Sequence, residues 1–177
     1  MNTPIETVEL TSKGARVLIA PERGGMATRF IVGDRPVFFL DESTLLDRTK
    51  NVRGGNPVLF PSPGKLESDR FRREGHTGTM GQHGFARNAA WEIAAQSTDT
   101  VELRLRSSES TCAVYPWDFV ATYRYSLRGA ALRIEQRFEN TGTTPMPFAA
   151  GFHPYFQLPQ AEKARARVPT KATRAWD

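Results

Sequence analysis

Two histidines stand in settings suited to proton chemistry. His153 lies within Gly151-Phe152-His153-Pro154-Tyr155-Phe156, and His83 within Gly81-Gln82-His83-Gly84-Phe85-Ala86-Arg87-Asn88. An imidazole titrates near neutrality and can give or take a proton at physiological pH. Phe152, Tyr155 and Phe156 can form walls that stack on a ring ligand and exclude water, while Pro154 withholds a backbone donor. A histidine in apolar company is also commonly a hydrogen-bonded structural residue. Whether the two segments converge in the fold separates these readings. His76 sits in a charged, glycine-punctuated stretch from Glu67 to Met80 and reads as an exposed loop residue.

Other chemistries lack their residues. Neither His83 nor His153 has a metal-ligand partner at close helical or strand spacing, and the lone Cys112 cannot supply a zinc set, so no metal is expected. Gly54-Gly55 lacks the lysine and helix of a phosphate-binding loop, and neither a dinucleotide fingerprint nor a nucleophile elbow occurs, so no cofactor is expected. Acid–base chemistry remains. Cys112 also excludes an intramolecular disulfide and reads as a small buried hydrophobe in a reducing compartment.

The chain has 177 residues, a net charge of +5 and a pI near 9.7. That length suits one domain, 1–177, with a proper core. Its basic residues are interleaved with acids, which argues for a solvated surface with an anion-attracting pocket over a nucleic-acid groove. Without a long apolar run or a signal-like start, no membrane association is expected, and the cytoplasm is the expected location.

The elements that must position the histidines follow a period of two. Apolar segments flanking Ser12-Lys13-Gly14 and Gly33-Asp34 read as hairpins. Trp91 and Ile93, then Val101, Leu103 and Leu105, alternate with polar neighbours. Phe119, Ala121, Tyr123, Tyr125 and Leu127 share one face of a further strand, and Leu132, Ile134, Gln136 and Phe138 share one face of the next. A connecting loop with room for one helical turn is expected between Asp41 and Lys50, a short helix or basic loop over 161–167, and the start of one more strand over Val168 to Asp177. Asn51 to Leu66 holds three prolines and three glycines, so it reads as an ordered irregular segment of the kind that carries binding sites. The sum is an all-β sandwich.

The run Val52-Arg53-Gly54-Gly55-Asn56-Pro57-Val58-Leu59-Phe60-Pro61, the His83 motif with Trp91, then Asn140-Thr141-Gly142 and Phe148 ahead of the His153 motif together resemble the aldose 1-epimerase (mutarotase) family. The Arg-Gly-Gly-x-Pro and His-Gly-Phe-Ala-Arg elements are most similar to its hexose-6-phosphate epimerase branch. The resemblance implies a large antiparallel β-sandwich of the galactose mutarotase-like type. It implies a sugar or sugar phosphate as the partner, with interconversion of its α and β anomers by ring opening. By the same resemblance His153 matches the general acid at the ring oxygen, and His83 the histidine that holds the ring. Arg53 and Arg87, with Gln82 and Tyr155 in the same motifs, match substrate-binding positions, the arginines suiting a phosphate.

The family's base is a glutamate much nearer the C-terminus, and only Glu162 and Asp177 follow His153 here, neither in a matching context. The expectation is therefore the N-terminal portion of the family domain. Its sandwich would be incomplete at the C-terminal end, its activity impaired, and its unpaired strand edges would invite a homodimer. The alternative is a carbohydrate-binding or sensing module without catalysis.

Overall fold

The computed structural model describes residues 5–173. Alternating apolar residues build two four-stranded antiparallel sheets. The first comprises β1 (Val8–Ser12), β2 (Ala15–Ala20), β3 (Met26–Val32) and β4 (Arg35–Pro36), in that order. After α1 (Glu42–Leu46) come β5 (Val58–Leu59) and the hairpin β6 (Arg70–Arg73) and β7 (His76–Thr79). The second sheet follows, with β8 (Glu92–Gln96) and β9 (Thr100–Arg106) leading through the helical turn α2 (Glu109–Cys112) to β10 (Phe119–Arg128) and β11 (Ala131–Asn140). Its order is β11-β10-β9-β8. A two-residue strand, β12 (Gly151–Phe152), pairs with β5.

The sheets face each other across one apolar core. Val8, Leu10, Val17 and Ile19 come from the first sheet, and Val101, Leu103, Tyr123, Tyr125 and Leu127 from the second. Every second residue of β10 from Phe119 to Leu127 is buried, as its period of two predicts. A buried hydroxyl must find a partner, and that of Tyr125 donates to Gly25 O at 2.7 Å, tying the sheets together. On β11 the inward-facing Leu132, Ile134 and Phe138 are only half-buried, because that strand is the sheet's edge.

Several expectations change in detail. Ile93 lies on the edge strand β8 and is 45% exposed. Cys112 is half-buried within α2, whose first turn is capped by Ser108 and Thr111. The strand opposite Phe30–Val32 is cut short at Pro36, so Phe39 N donates instead to Tyr155 O at 2.9 Å. The α1 turn falls within the stretch expected to be a connecting loop, and a 3-10 helix covers Gln160–Arg165. Residues 168–173 form no strand, and the rest of the strand expected there lies outside the described residues.

The irregular segment is the fold's junction. Ala149 N, His153 N and Tyr155 N donate to Pro61 O, Pro57 O and Gly55 O at 2.9, 3.0 and 2.9 Å, so 149–155 runs antiparallel along 55–61. On the other side Phe85 N and Ala86 N both reach Phe60 O at 3.2 Å, and Gly84 forms a parallel bridge with Phe60. Gly84 has φ +69°, and a Cβ there would overlap the carbonyl of Phe60. Gly81 has open space and no left-handed requirement. Gly84→Ala is expected to lower the thermal midpoint by several degrees and Gly81→Ala to leave it nearly unchanged, as differential scanning fluorimetry would show.

Candidate functional site

His83 is held by the backbone of the irregular segment. Its amide donates to Gly64 O at 3.0 Å, and its Nδ1 lies 2.5 Å from Pro63 O. A carbonyl oxygen can only accept, so Nδ1 carries a proton and Nε2 is left for other partners. The residue adopts φ +71°, followed by Gly84 in the same left-handed region. A non-glycine residue there carries a backbone cost of about 1 kcal/mol, repaid only where the surroundings fix it. Here the fixing groups are Gly64 O, Pro63 O and the Gly84–Phe60 bridge.

His153 reaches the same place from the opposite flank. Its imidazole is exposed, with its centroid 5.6 Å from that of His83 and the planes at 70°. Tyr155 stacks on the His153 ring at 4.8 Å and 28°. Phe152 points inward instead, edge-on to Tyr123 at 5.9 Å. The structure therefore brings together His83, His153 and Tyr155, contributed by segments seventy positions apart in the chain.

Arg87 lies near Tyr155, while Arg53 sits on the irregular segment beside α1. Among the described residues, neither Arg53 nor Arg87 makes a salt bridge, and no carboxylate hydrogen-bonds to either imidazole. Arg87 is half-buried. Its Nη2 donates to Gln82 O at 3.2 Å, while its Nε is buried without a partner. Burial lowers its basicity, and the nearby Tyr155 acts in the opposite sense. Gln82 takes part through its backbone carbonyl, and no hydrogen bond of its exposed side-chain amide is found among the described residues. Arg53 is exposed. Its amide donates to Thr44 Oγ1 at 2.8 Å and its carbonyl accepts from Asp41 N at 2.8 Å. Asn56 Oδ1, in the same Arg-Gly-Gly-x-Pro run, is also buried without a partner.

Sequence reasoning missed the residue that holds Arg53 in place. Arg23 is 5% exposed and donates to the carbonyls of Leu45, Thr44, Asp47 and Lys50 at 3.1, 3.0, 3.3 and 3.0 Å. One guanidinium thus satisfies carbonyls of the last turn of α1 and of the loop after it, and α1 supplies the Thr44 that bonds Arg53. The only available signal was an arginine beside Gly24-Gly25. The reading of His76 is also corrected. It is half-buried and edge-on to Trp117 at 5.0 Å, because the β6–β7 hairpin folds back over that indole. The same hairpin brings Arg70, Arg72 and Arg73 to the rim of a groove that runs past Ser62 and Phe148. Among the described residues no group of three or more histidines, cysteines and carboxylates is placed to hold a metal ion, and no helix is long and apolar enough to cross a membrane.

Comparison with known proteins bears on the family and the fold. The family model for aldose 1-epimerase matches residues 6–176. A protein of Cenchrus ciliaris named "Putative glucose-6-phosphate 1-epimerase" is 27% identical over 180 residues, covering 93% of this chain and 51% of that protein. Among solved structures, the Slr1438 protein of Synechocystis sp. PCC 6803 superposes with a TM-score of 0.86 at 38% identity, over 90% of this chain and 57% of that one. A galactose mutarotase related enzyme of Lactobacillus acidophilus gives a TM-score of 0.77 at 27% identity, over 89% and 51%. The chain spans about half the length of these relatives. A match over nearly the whole chain, with the same sandwich, places it in the aldose 1-epimerase family.

Proposed function

We propose that this chain carries the acid and substrate-binding side of an aldose 1-epimerase site acting on a hexose or hexose phosphate. The observation that carries the reading is the approach of His83 and His153 to 5.6 Å, with Arg87 near Tyr155 and without a salt bridge among the described residues. In the reaction a carboxylate takes the proton from the C1 hydroxyl while His153 protonates the ring oxygen. The C1–O5 bond breaks to give the open-chain aldehyde, the C1–C2 bond rotates, and reclosure returns both protons and delivers the other anomer. His83, with Nδ1 committed to Pro63 O, turns Nε2 to a sugar oxygen. Tyr155, stacked on His153, limits rotation of that imidazole and offers an aromatic face to the ring.

The base is the unassigned part. The family resemblance implies a glutamate base nearer the C-terminus, and the protein that supplies it is, on this reading, the active enzyme. General-base catalysis contributes about a hundredfold to ten-thousandfold. That no carboxylate hydrogen-bonds to either imidazole among the described residues is the observation behind a second reading, a sugar-binding module that does not turn over.

Anomer exchange followed by polarimetry or NMR with glucose, galactose and glucose 6-phosphate separates the two. The enzymatic reading predicts acceleration by a protein that includes the glutamate, lost by at least about a hundredfold in His153→Ala. Saturable binding by calorimetry with no acceleration from either form establishes the binding module instead. For the phosphate, Arg87→Gln is expected to weaken glucose 6-phosphate binding by roughly tenfold or more while changing glucose binding little. Equal weakening of both sugars removes the phosphate assignment.

A further inference from the structure

Arg23 and Gly24 are neighbours in the chain, yet they hold two different segments of the proposed site. The buried Arg23 guanidinium donates to four main-chain carbonyls over 44–50, three of them through Nη2. Burying a guanidinium costs free energy, which carbonyl partners offset only where their positions are fixed. Thr44, whose carbonyl is one of the four, also receives the Arg53 amide at its Oγ1, and the Arg53 carbonyl accepts from Asp41 N. Both backbone groups of Arg53 are thereby tied to the element that Arg23 grips. Gly24 faces the Arg87 segment. Its amide donates to Ala89 O at 2.9 Å, and at φ +79° a Cβ there would overlap the Arg87 carbonyl. Pro21 O accepts from Trp91 N at 3.0 Å, so the same turn meets 87–91 at two backbone bonds. The circuit closes at Asn88, beside Arg87, whose Nδ2 donates at 3.0 Å to the side-chain oxygen of Asn51, two positions before Arg53.

We propose that Arg23 is a positioning residue: it sets the spacing of the Arg53 and Arg87 backbones and so makes the site select a phosphorylated sugar over a neutral one. This role rests on the proposed part of both arginines in substrate binding. A phosphate presents its oxygens in a fixed tetrahedral arrangement, and two guanidiniums share it only at a matched separation. The hydroxyls of a neutral sugar carry no net charge and gain little from that match. Holding the two segments in advance also spares the cost of ordering them when the ligand arrives. Arg23 touches neither sugar nor phosphate on this account, and it acts through Thr44 on one side and through the turn it shares with Gly24 on the other.

Calorimetric titration with glucose 6-phosphate and with glucose tests this, with thermal midpoints measured alongside. Arg23→Lys keeps a buried cation but exchanges the planar fork for a single ammonium group. It is expected to weaken glucose 6-phosphate binding by about tenfold and to leave glucose binding within about twofold. Asn88→Ala removes the exposed bond to Asn51 and is expected to act in the same direction by about threefold. A purely structural role lowers the thermal midpoint and leaves the ratio of the two affinities unchanged, and that result overturns the proposal. If Arg23→Lys loses its circular dichroism signature, Asn88→Ala decides: a selective loss supports the proposal and an unchanged ratio overturns it. A parent protein that binds glucose 6-phosphate no more tightly than glucose overturns it as well, while leaving the sugar-binding reading intact. One that binds neither sugar overturns both.

Discussion

The structure depends on the backbone hydrogen bonds made by one irregular segment, residues 53–64, on both of its flanks. Pro57, Pro61 and Pro63 lack backbone donors, so the segment offers its carbonyls instead. Pro57 O, Pro61 O and Gly55 O receive the amides of the His153 segment, while Phe60 O and Gly64 O receive those of the His83 segment. Two histidines far apart in the chain are thereby fixed by the same stretch of backbone. The strain of a left-handed His83 persists because Pro63 O, Gly64 O and the Gly84 bridge all require it.

The electrostatics of the region follow from what is missing around it. Some surface charges elsewhere are paired, as in Arg48 with Glu22 and Arg104 with Glu102, and others such as Arg70, Arg72 and Arg73 make no salt bridge among the described residues. Arg23 is buried against carbonyls alone and keeps α1, and through Thr44 the Arg53 backbone, in position. Arg87 is half-buried with an unpartnered Nε, a state that costs free energy until an acceptor arrives. A positive region of this kind favours an oxygen-rich or anionic ligand over a cationic one.

The sheets were legible because their signal is local. The run from Phe119 to Leu127 alternates without interruption, and every inward residue is buried. Ile93 shows where that signal fails: alternation gives a face, but only the sheet's order decides whether that face is covered. The prolines and glycines of 51–66 announced an ordered irregular segment, yet its partners could not be read, since carbonyl acceptors carry no side-chain code. The motifs drew attention to His83 and His153, while their convergence is a property of the ladder between them. Arg23 left almost no trace, because its four partners are backbone atoms more than twenty positions away. His76 was misread for a related reason, as its neighbour Trp117 is distant in sequence.

The central claim is that His83 and His153 belong to one sugar-binding site, and titration of the imidazole NMR signals with glucose and glucose 6-phosphate tests it most directly. The account predicts that both rings shift along one saturation curve with a common Kd, while the ring of His76, packed on Trp117, does not follow it. Shifts confined to one of the pair, or two curves with different midpoints, would contradict it.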